Sequence, residues 1–241
     1  MLEDNIMNRY KAQIQLPHIG SSGQEKIKAA RVMVVGIGGL GSAILPYLAS
    51  AGIGHLTLVD GDVVSESNLS RQVIYRLQDV GRLKVEVAQE YMNRMNPEIQ
   101  VDIFPKFLDL DWGRDIIGQY DIVVDCTDNF RSRYLVNDLT AMYNIPMVFA
   151  AVYQFEGQVS VFNYKNGPSY RCLFPETEGK NLSCFDSGIM GSTVALFAMY
   201  QANEIFKIIL GIGEVLSGQL LIYDLLSNEQ RKITFSNHDN K

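Results

Sequence analysis

The sequence predicts an α/β fold, in which a doubly wound, Rossmann-like and mostly parallel sheet is extended by antiparallel strands. Up to residue 150, short apolar runs rich in β-branched residues alternate with helical patterns, which is typical of parallel strands buried on both faces. A glycine-rich turn joins the first of these strands to a helix, as in dinucleotide-binding folds. Later strands alternate polar and apolar residues, which favours antiparallel strands with one exposed face.

The first unit of the predicted sheet lies between residues 32 and 59. The apolar run 32–35 is closed by Gly36, and a second run, 55–59, ends at Asp60. Between them, residues 40–51 are small and apolar enough for a buried helix, although Pro46 removes one backbone donor. This strand–helix–strand unit is the element from which parallel sheets are wound.

The same alternation continues along the chain. Pro97 ends a helical pattern that begins near residue 81. The pattern predicts a helix over 81–95, strands over 99–103 and 121–125, a helix over 131–143 and a strand over 147–150. After this point it predicts strands over 157–162, 219–223 and 232–235, which bracket one long helix over about 188–210.

Length and composition predict one globular domain. The chain has 241 residues, of which 47% are hydrophobic and 20% charged, and this composition excludes wholesale disorder. No repeat, low-complexity tract or linker separates its halves. We expect an N-terminal helical arm over 1–28, a nucleotide-binding half over 29–152, and an antiparallel, carrier-binding half over 153–241.

Charge and cysteine content exclude several classes of function. The formal net charge is −6 and no dense basic run is present, so nucleic-acid binding is not expected as the main activity. Three scattered cysteines suit a reducing cytoplasm rather than a disulfide framework. The acidic N-terminus does not match the pattern of a signal peptide. The charge-free stretch 32–59 could span a bilayer by length, but six glycines and Pro46 interrupt it, so we expect no membrane span.

The turn after the first strand predicts a nucleotide site. Its glycines, Gly36, Gly38, Gly39 and Gly41, satisfy the pattern G-x-G-x-x-G between a strand and a helix. Such glycines allow backbone N–H groups to approach a phosphate at the helix N-terminus. Asp60 ends the next strand, where a carboxylate can accept hydrogen bonds from a ribose hydroxyl. This loop alone indicates a nucleotide, with NAD as the default.

Charged residues near the ends of neighbouring strands favour ATP with Mg²⁺ over NAD. The ends of parallel strands converge on one crevice, so Asp60 and its neighbours would crowd the nucleotide. A triphosphate carries about four charges and needs cations together with a carboxylate-held Mg²⁺. The carboxylates that we expect there beside Asp60 are Asp62, Asp125 and Asp128, with the cations Arg71 and Lys84 nearby.

In combination these motifs resemble the ThiF/MoeB/HesA enzymes, the bacterial relatives of ubiquitin-activating enzymes. The motifs are the loop 36–42, Ser67-Asn-Leu-x-Arg-Gln72, Lys84, Asp125-Cys-Thr-Asp-Asn129 and Tyr170-Arg-Cys-Leu173. The resemblance implies an adenylyltransferase that uses ATP and Mg²⁺ on the C-terminal glycine of a small ubiquitin-fold sulfur carrier. It also implies a homodimer, with thiamine or molybdopterin biosynthesis as the pathway.

The resemblance implies a set of site residues. By this resemblance the catalytic residues would be Arg71, Lys84, Asp128 and Cys184, with Asp128 as the magnesium ligand. The nucleotide would be bound by Gly38, Gly39, Gly41, Asp60, Asp62, Asn68, Arg71, Gln72, Lys84, Asp128, Asn129 and Arg9. In the thiamine branch, a cysteine at the position of Cys184 forms an acyl-persulfide link with the carrier, which gives thiamine a slight preference here.

The chain departs from the family pattern at two places. Relatives commonly hold zinc with two Cys-x-x-Cys pairs, but three cysteines, one of them in the nucleotide motif, cannot supply four ligands. We therefore expect no structural zinc. Relatives also carry a second arginine near the N-terminus that reaches the partner subunit's ATP, where this chain has Ala12. Either Arg9 or Lys11 compensates, or adenylation is slow.

Three other functions stay open at this point. A tRNA-modifying dehydratase of the same superfamily would activate a nucleoside carboxylate, but the acidic composition disfavours it. An NAD-dependent oxidoreductase would need an acid or base for hydride transfer, and no such residue stands out in the sequence. A non-catalytic adaptor that binds a ubiquitin-fold partner is compatible with Ala12.

Overall fold

The computed structural model describes residues 8–175 and 188–237. In that part of the chain the strands are β1 Arg31–Val35, β2 His55–Val59, β3 Gln100–Phe104, β4 Ile122–Asp125, β5 Met147–Tyr153, β6 Glu156–Phe162, β7 Gln219–Asp224 and β8 Glu229–Thr234. The α-helices are α1 Lys11–Ile14, α2 Gly20–Ala29, α3 Gly39–Ala51, α4 Lys84–Met95, α5 Leu110–Ile116, α6 Phe130–Met142, α7 Tyr170–Leu173 and α8 Gly191–Leu210.

All eight of these strands form a single mixed sheet in the order β3-β2-β1-β4-β5-β6-β7-β8. The first five are parallel, and the pairs β5–β6, β6–β7 and β7–β8 are antiparallel. The predicted fold class is therefore confirmed. Because β1 lies between β2 and β4, the strand order reverses there, and a crevice opens at the carboxyl ends of these strands.

The short helices α5 and α7 were not predicted from the sequence, and the predicted elements differ from the structure at their ends. The long helix α8 begins at Gly191, three residues later than expected. The last strand begins at Glu229, because β7 and β8 form a hairpin in which Asp224 pairs with Glu229. A polar, exposed strand such as β8 lacks the apolar alternation that defined the other strands.

Alternate residues of the central strand face two separate hydrophobic clusters. Val32 and Val34 pack with residues of α3, α4 and α8, whereas Met33 and Val35 pack on the other face with residues of α6 and α7. The apolar run therefore has no polar face, as expected for a parallel strand covered by helices on both sides. This burial fixes the end of β1, and with it the start of the glycine-rich turn.

Helix α8 is long and apolar enough to cross a membrane by length and composition, and half of its most apolar window is buried. Two buried polar residues connect it to its surroundings within the chain. Gln201 donates to the carbonyl oxygens of Asp125 and Val148, and the Glu204 carboxylate accepts from the N–H of Leu216. These bonds are those of a core helix packed on a sheet.

Candidate active site

The crevice at the ends of β1, β2 and β4 contains two adjoining cavities, of about 110 and 530 Å³. We refer to them as the small cavity and the large cavity. The small cavity extends to Asp60, Phe107 and Leu108, and the large cavity extends to Arg71 and to residues 151–153 of β5. The residues that line both are Gly38, Asp62, Lys84, Cys126, Thr127 and Asp128. The large cavity is within the range of small-molecule sites.

The glycines of the turn differ in what surrounds them. A Cβ on Gly41 would lie 2.1 Å from the carbonyl oxygen of Gly36, and one on Gly39 would lie 2.9 Å from Val194. These two glycines therefore allow close packing within the chain. A Cβ on Gly38 would meet only Gln72 Nε2, at 3.6 Å, so Gly38 leaves its open side to the crevice.

Asp60 holds the glycine-rich turn in place. Its two carboxylate oxygens accept from the N–H groups of Ile37 and Asp62, at 2.6 and 2.7 Å. Burial raises the pKa of Asp60 above its ordinary value, and these two hydrogen bonds and Lys84 oppose that rise. Each oxygen keeps a second acceptor position, so a ribose hydroxyl remains compatible with this geometry.

Tyr75 also holds the glycine-rich turn in place. Its hydroxyl donates to the carbonyl oxygen of Ile37 at 2.8 Å. Burial raises the pKa of Tyr75, and the nearby Asp60 carboxylate raises it further. The phenol therefore stays protonated and keeps its role as a donor.

Lys84 is a buried cation at the start of α4. Its side chain is 7% exposed, and its Nζ lies 2.9 Å from Oδ2 of Asp62, whose side chain is 54% exposed. A second bond joins the Lys84 N–H to the Asp62 carbonyl oxygen. The half-exposed carboxylate can be hydrated by water, so an incoming anion can compete for the ammonium without leaving a buried charge unpaired.

The segment between β2 and α4 places three more of the predicted residues along the large cavity. Arg71 is half-buried, and its Nη1 donates to the Ser67 carbonyl oxygen at 3.1 Å. Asn68 accepts from the N–H of Ser65. Gln72 is buried, and its Oε1 has no hydrogen-bond partner among the residues that the structure describes. Orphaned buried oxygens of this kind are rare, which indicates that Gln72 binds a ligand or an ordered water.

The end of β4 presents two carboxylates with opposite environments. Asp125 is fully buried, and its Oδ1 accepts from the N–H and the hydroxyl of Thr127. Burial raises the pKa of Asp125 to about 6, although the charge of Arg133 opposes this. Asp128 is exposed at the wall that both cavities share, and its Oδ1 accepts from the Asn129 side chain. Asp128 is therefore the carboxylate that a metal ion can reach.

Cys126 lies between Asp125 and Asp128 in the sequence, and its thiol is buried. The thiol lies 3.7 Å from Oε1 of Gln201. Burial raises the pKa of Cys126 well above its ordinary value, and the Asp125 carboxylate adds to the rise. A thiol in this environment does not form a usable thiolate.

Three residues that line the cavities were not predicted from the sequence: the cation Arg133 and the apolar residues Phe107 and Leu108. Arg133 is 6% exposed and lines the large cavity from the first turns of α6. The available signal was its spacing, because it lies four residues after Asn129, the N-cap of that helix, and thus on the same face. Phe107 is 67% exposed and packs over Gly61; no sequence pattern marked it.

Two predicted nucleotide-binding residues, Gly41 and Arg9, do not line this crevice, and Gly41 packs against Gly36 instead. Arg9 is exposed and donates to the carbonyl oxygen of Met95 at the end of α4, which begins at Lys84. It therefore lies at the opposite end of that helix from the crevice of its own chain. Cys184 lies outside the described residues. Within residues 8–175 and 188–237, no group of three or more His, Cys, Asp or Glu side chains is placed to hold a metal ion.

A family model for the ThiF family matches residues 10–241. The chain belongs to the ThiF family. It is 45% identical over 235 residues to the sulfur carrier protein adenylyltransferase of Thermus thermophilus, an alignment that covers 95% of this chain and 87% of the relative. It is 41% identical to mouse adenylyltransferase and sulfurtransferase MOCS3 over 95% of this chain. The predicted family and the predicted enzyme class, an adenylyltransferase, are therefore confirmed.

Coverage differs between the relatives. The chain spans 50% of mouse MOCS3, and 63% of a probable molybdopterin-synthase adenylyltransferase of Gracilaria tenuistipitata to which it is 40% identical. Among solved structures, E. coli MccB with ATP matches with a TM-score of 0.83 and 24% identity, covering 97% of this chain and 73% of MccB. This likeness concerns the fold alone.

Proposed function

We propose that this chain transfers AMP from ATP to the C-terminal glycine carboxylate of a small ubiquitin-fold sulfur carrier, with Mg²⁺ as cofactor. One observation carries the proposal: Lys84, Arg71 and Asp128 converge on the open side of Gly38. The high identity to the Thermus sulfur carrier protein adenylyltransferase, over almost the whole chain, supports the choice of carrier.

The two cavities suit the two parts of a nucleotide. The small cavity combines Asp60 with apolar side chains such as Phe107 and Leu108, an environment that fits a ribose and an uncharged base. The shared wall combines Gly38, Lys84 and Asp128, which fits phosphates and their metal ion. We assign Asn68, Arg71 and Gln72 to the phosphates as well, because they line the large cavity.

The residues present fit a magnesium ion that arrives with the nucleotide. Mg²⁺ in nucleotide sites is held by one or two carboxylates and by substrate phosphates rather than by a cage of protein ligands. Asp128 and Asp62, both exposed at the shared wall, supply such carboxylates. When bound, the ion would neutralise phosphate charge.

The reaction that we propose brings two anions together. An oxygen of the carrier carboxylate forms a bond to the α-phosphorus, the bond to the β-phosphate oxygen breaks, and pyrophosphate leaves with the electron pair. No proton transfer is required. Repulsion between the anions is the main obstacle, and Lys84 and Arg71 offset it by placing fixed positive charge at the phosphates.

We infer a homodimer in which the N-terminal arm serves the partner subunit. Arg9 is exposed and its side chain donates to the carbonyl oxygen of Met95 at the end of α4, which lies away from the crevice of its own chain. This position is compatible with a contact to a second copy, where Arg9 or Lys11 would replace the arginine that is missing at Ala12. Equilibrium sedimentation tests the dimer, and Arg9→Ala and Lys11→Ala test which cation acts.

Cys184 is expected to act after adenylation, as the link to the carrier in sulfur transfer. The Cys184→Ser variant should therefore retain adenylation and lose any covalent adduct with the carrier. Exchange that fails in Cys184→Ser, with the fold intact, would contradict this order of steps.

Carrier-dependent exchange of labelled pyrophosphate into ATP tests the proposed function. We expect exchange only with Mg²⁺ and with a carrier that ends in a free glycine carboxylate. Thiamine-pathway and molybdopterin-pathway carriers, assayed side by side, identify the pathway. Binding without exchange would instead indicate an adaptor, and binding of tRNA or of NAD would indicate one of the other two classes.

A further inference from the structure

Arg133 occupies the arm of the crevice that lies away from the nucleoside. The small cavity, with Asp60 and Leu108, does not include it. The large cavity includes it, together with residues 151–153 at the end of β5 and Gly188 and Ile189. The wall shared by both cavities lies between these two arms. With the nucleoside in the small cavity, as proposed above, Arg133 lines the arm that is left for a second substrate to reach the phosphates.

The guanidinium of Arg133 is buried with most of its hydrogen-bonding capacity unused. The residue is 6% exposed, and its Nη2 donates to the Thr127 carbonyl oxygen at 3.3 Å. The Tyr170 hydroxyl lies close enough to interact with the guanidinium, and Nε has no hydrogen-bond partner among the described residues. Within residues 8–175 and 188–237, no carboxylate lies within 4 Å of it. Five donors on a buried cation normally find acceptors.

Two groups of the chain face Arg133, and neither forms a salt bridge with it among the described residues. The charge of Arg133 opposes the rise in the pKa of Asp125, but one oxygen of Asp125 accepts from Thr127 and the other has no hydrogen-bond partner among these residues. The Tyr170 hydroxyl adjoins the guanidinium and makes no hydrogen bond of ordinary distance and angle in the described part of the chain. The rings of Phe130 and Phe149, each 5.6 Å from the guanidinium carbon, restrain its position. A fixed, desolvated and incompletely bonded guanidinium favours binding of a carboxylate or a phosphate, and the test below distinguishes the two through the affinity for ATP.

We propose that Arg133 binds the C-terminal carboxylate of the carrier and places it beside the α-phosphate before the reaction. This inference rests on the proposed function and adds a substrate-binding residue to it. Arg71 differs from Arg133 because it is only half-buried and its side chain can be hydrated. Binding by Arg133 removes the nucleophile from water and orients it, which converts a bimolecular encounter into a defined approach.

The test compares a carrier that supports exchange in the wild-type enzyme with the same carrier as its C-terminal amide. Binding is measured by calorimetry without ATP. In the wild type we expect the acid to bind about tenfold to a hundredfold more tightly than the amide, because a charge-assisted bond is lost in the amide. In Arg133→Gln the acid and the amide should bind within about twofold of each other, while the Kd for ATP with Mg²⁺ changes by less than about threefold.

Controls separate this role from a structural one. Arg131→Gln removes an exposed arginine of the same helix and should keep the wild-type preference for the acid. Arg133→Lys keeps the positive charge without the two-pronged geometry, and we expect it to reduce the preference for the acid over the amide at least threefold. If Arg133→Gln does not fold, Arg133→Lys provides the test in its place. A preference that survives in Arg133→Lys or Arg133→Gln overturns the inference, as does a tenfold loss of ATP affinity. Absence of exchange with every carrier in the wild type overturns the proposed function instead, and the inference with it.

Discussion

Replacing Lys84 by methionine removes the buried cation at the shared wall and keeps the length of its apolar stem. Folding should tolerate the change, because the partner left behind, Asp62, is 54% exposed and can be hydrated. Catalysis should not tolerate it. One unit charge about 4 Å from a phosphate, at an effective dielectric constant near 20, contributes about 4 kcal/mol. When this interaction stabilises mainly the transition state, its loss lowers the rate of adenylation about a thousandfold.

Carrier-dependent pyrophosphate exchange measures this loss, and thermal unfolding checks the fold of the same sample. Lys28→Met is the matched control, since Lys28 is exposed at the end of α2 and should retain full exchange. If Lys84→Met exchanges within about threefold of the wild type while remaining folded, the electrostatic role of Lys84 is refuted.

Three further predictions concern the carboxylates and the glycines of the crevice. Asp128→Asn, at an exposed position, should keep the fold and raise the Mg²⁺ concentration for half-maximal exchange by at least about tenfold; an unchanged Mg²⁺ dependence would exclude Asp128 as the ligand. Gly41→Ala should destabilise the chain by about 3 kcal/mol or more, because its Cβ would lie 2.1 Å from the Gly36 carbonyl oxygen, whereas Gly38→Ala should fold normally and weaken ATP binding; equal stability of the two variants would contradict the packing described. Burial raises the pKa of Asp125 to about 6 from an ordinary value of 3.8, so the folded chain holds this proton more tightly than the unfolded chain, and stability falls as pH rises between these two values. Asp125→Asn should therefore gain about 2–3 kcal/mol of unfolding free energy relative to the wild type between pH 4 and pH 8, measured by denaturant unfolding, and a difference independent of pH would contradict the buried carboxylate.

The order of the strands and of the longer helices was predictable, because β1, β2, β4 and β5 carry mostly apolar runs and β3 alternates polar and apolar residues. The run 32–35 has no polar face because helices cover both sides of β1. The start of β8 was not predictable, since every residue of Glu229–Thr234 is exposed and pairing with β7 alone defines the strand. Helix α7, with four residues, is too short to show a helical period.

The site was predictable where residues follow strand ends, because the topology brings these ends together. Gly38, Asp60 and Asp128 line the small cavity for this reason. Two features depend on packing that no local pattern encodes. Gly41 fits the motif yet packs against Gly36 rather than facing the crevice, and Arg133 enters the cavity only because of the rotation of α6.

The adenylated carrier itself is the most direct evidence for or against the function proposed here. Intact-mass spectrometry of the carrier, after incubation with the enzyme, ATP and Mg²⁺, should detect AMP attached through the C-terminal glycine, and the C-terminal amide of the carrier should remain unmodified. A carrier that binds the enzyme and acquires no adenylate, under conditions where inorganic pyrophosphatase removes the product, would contradict the account.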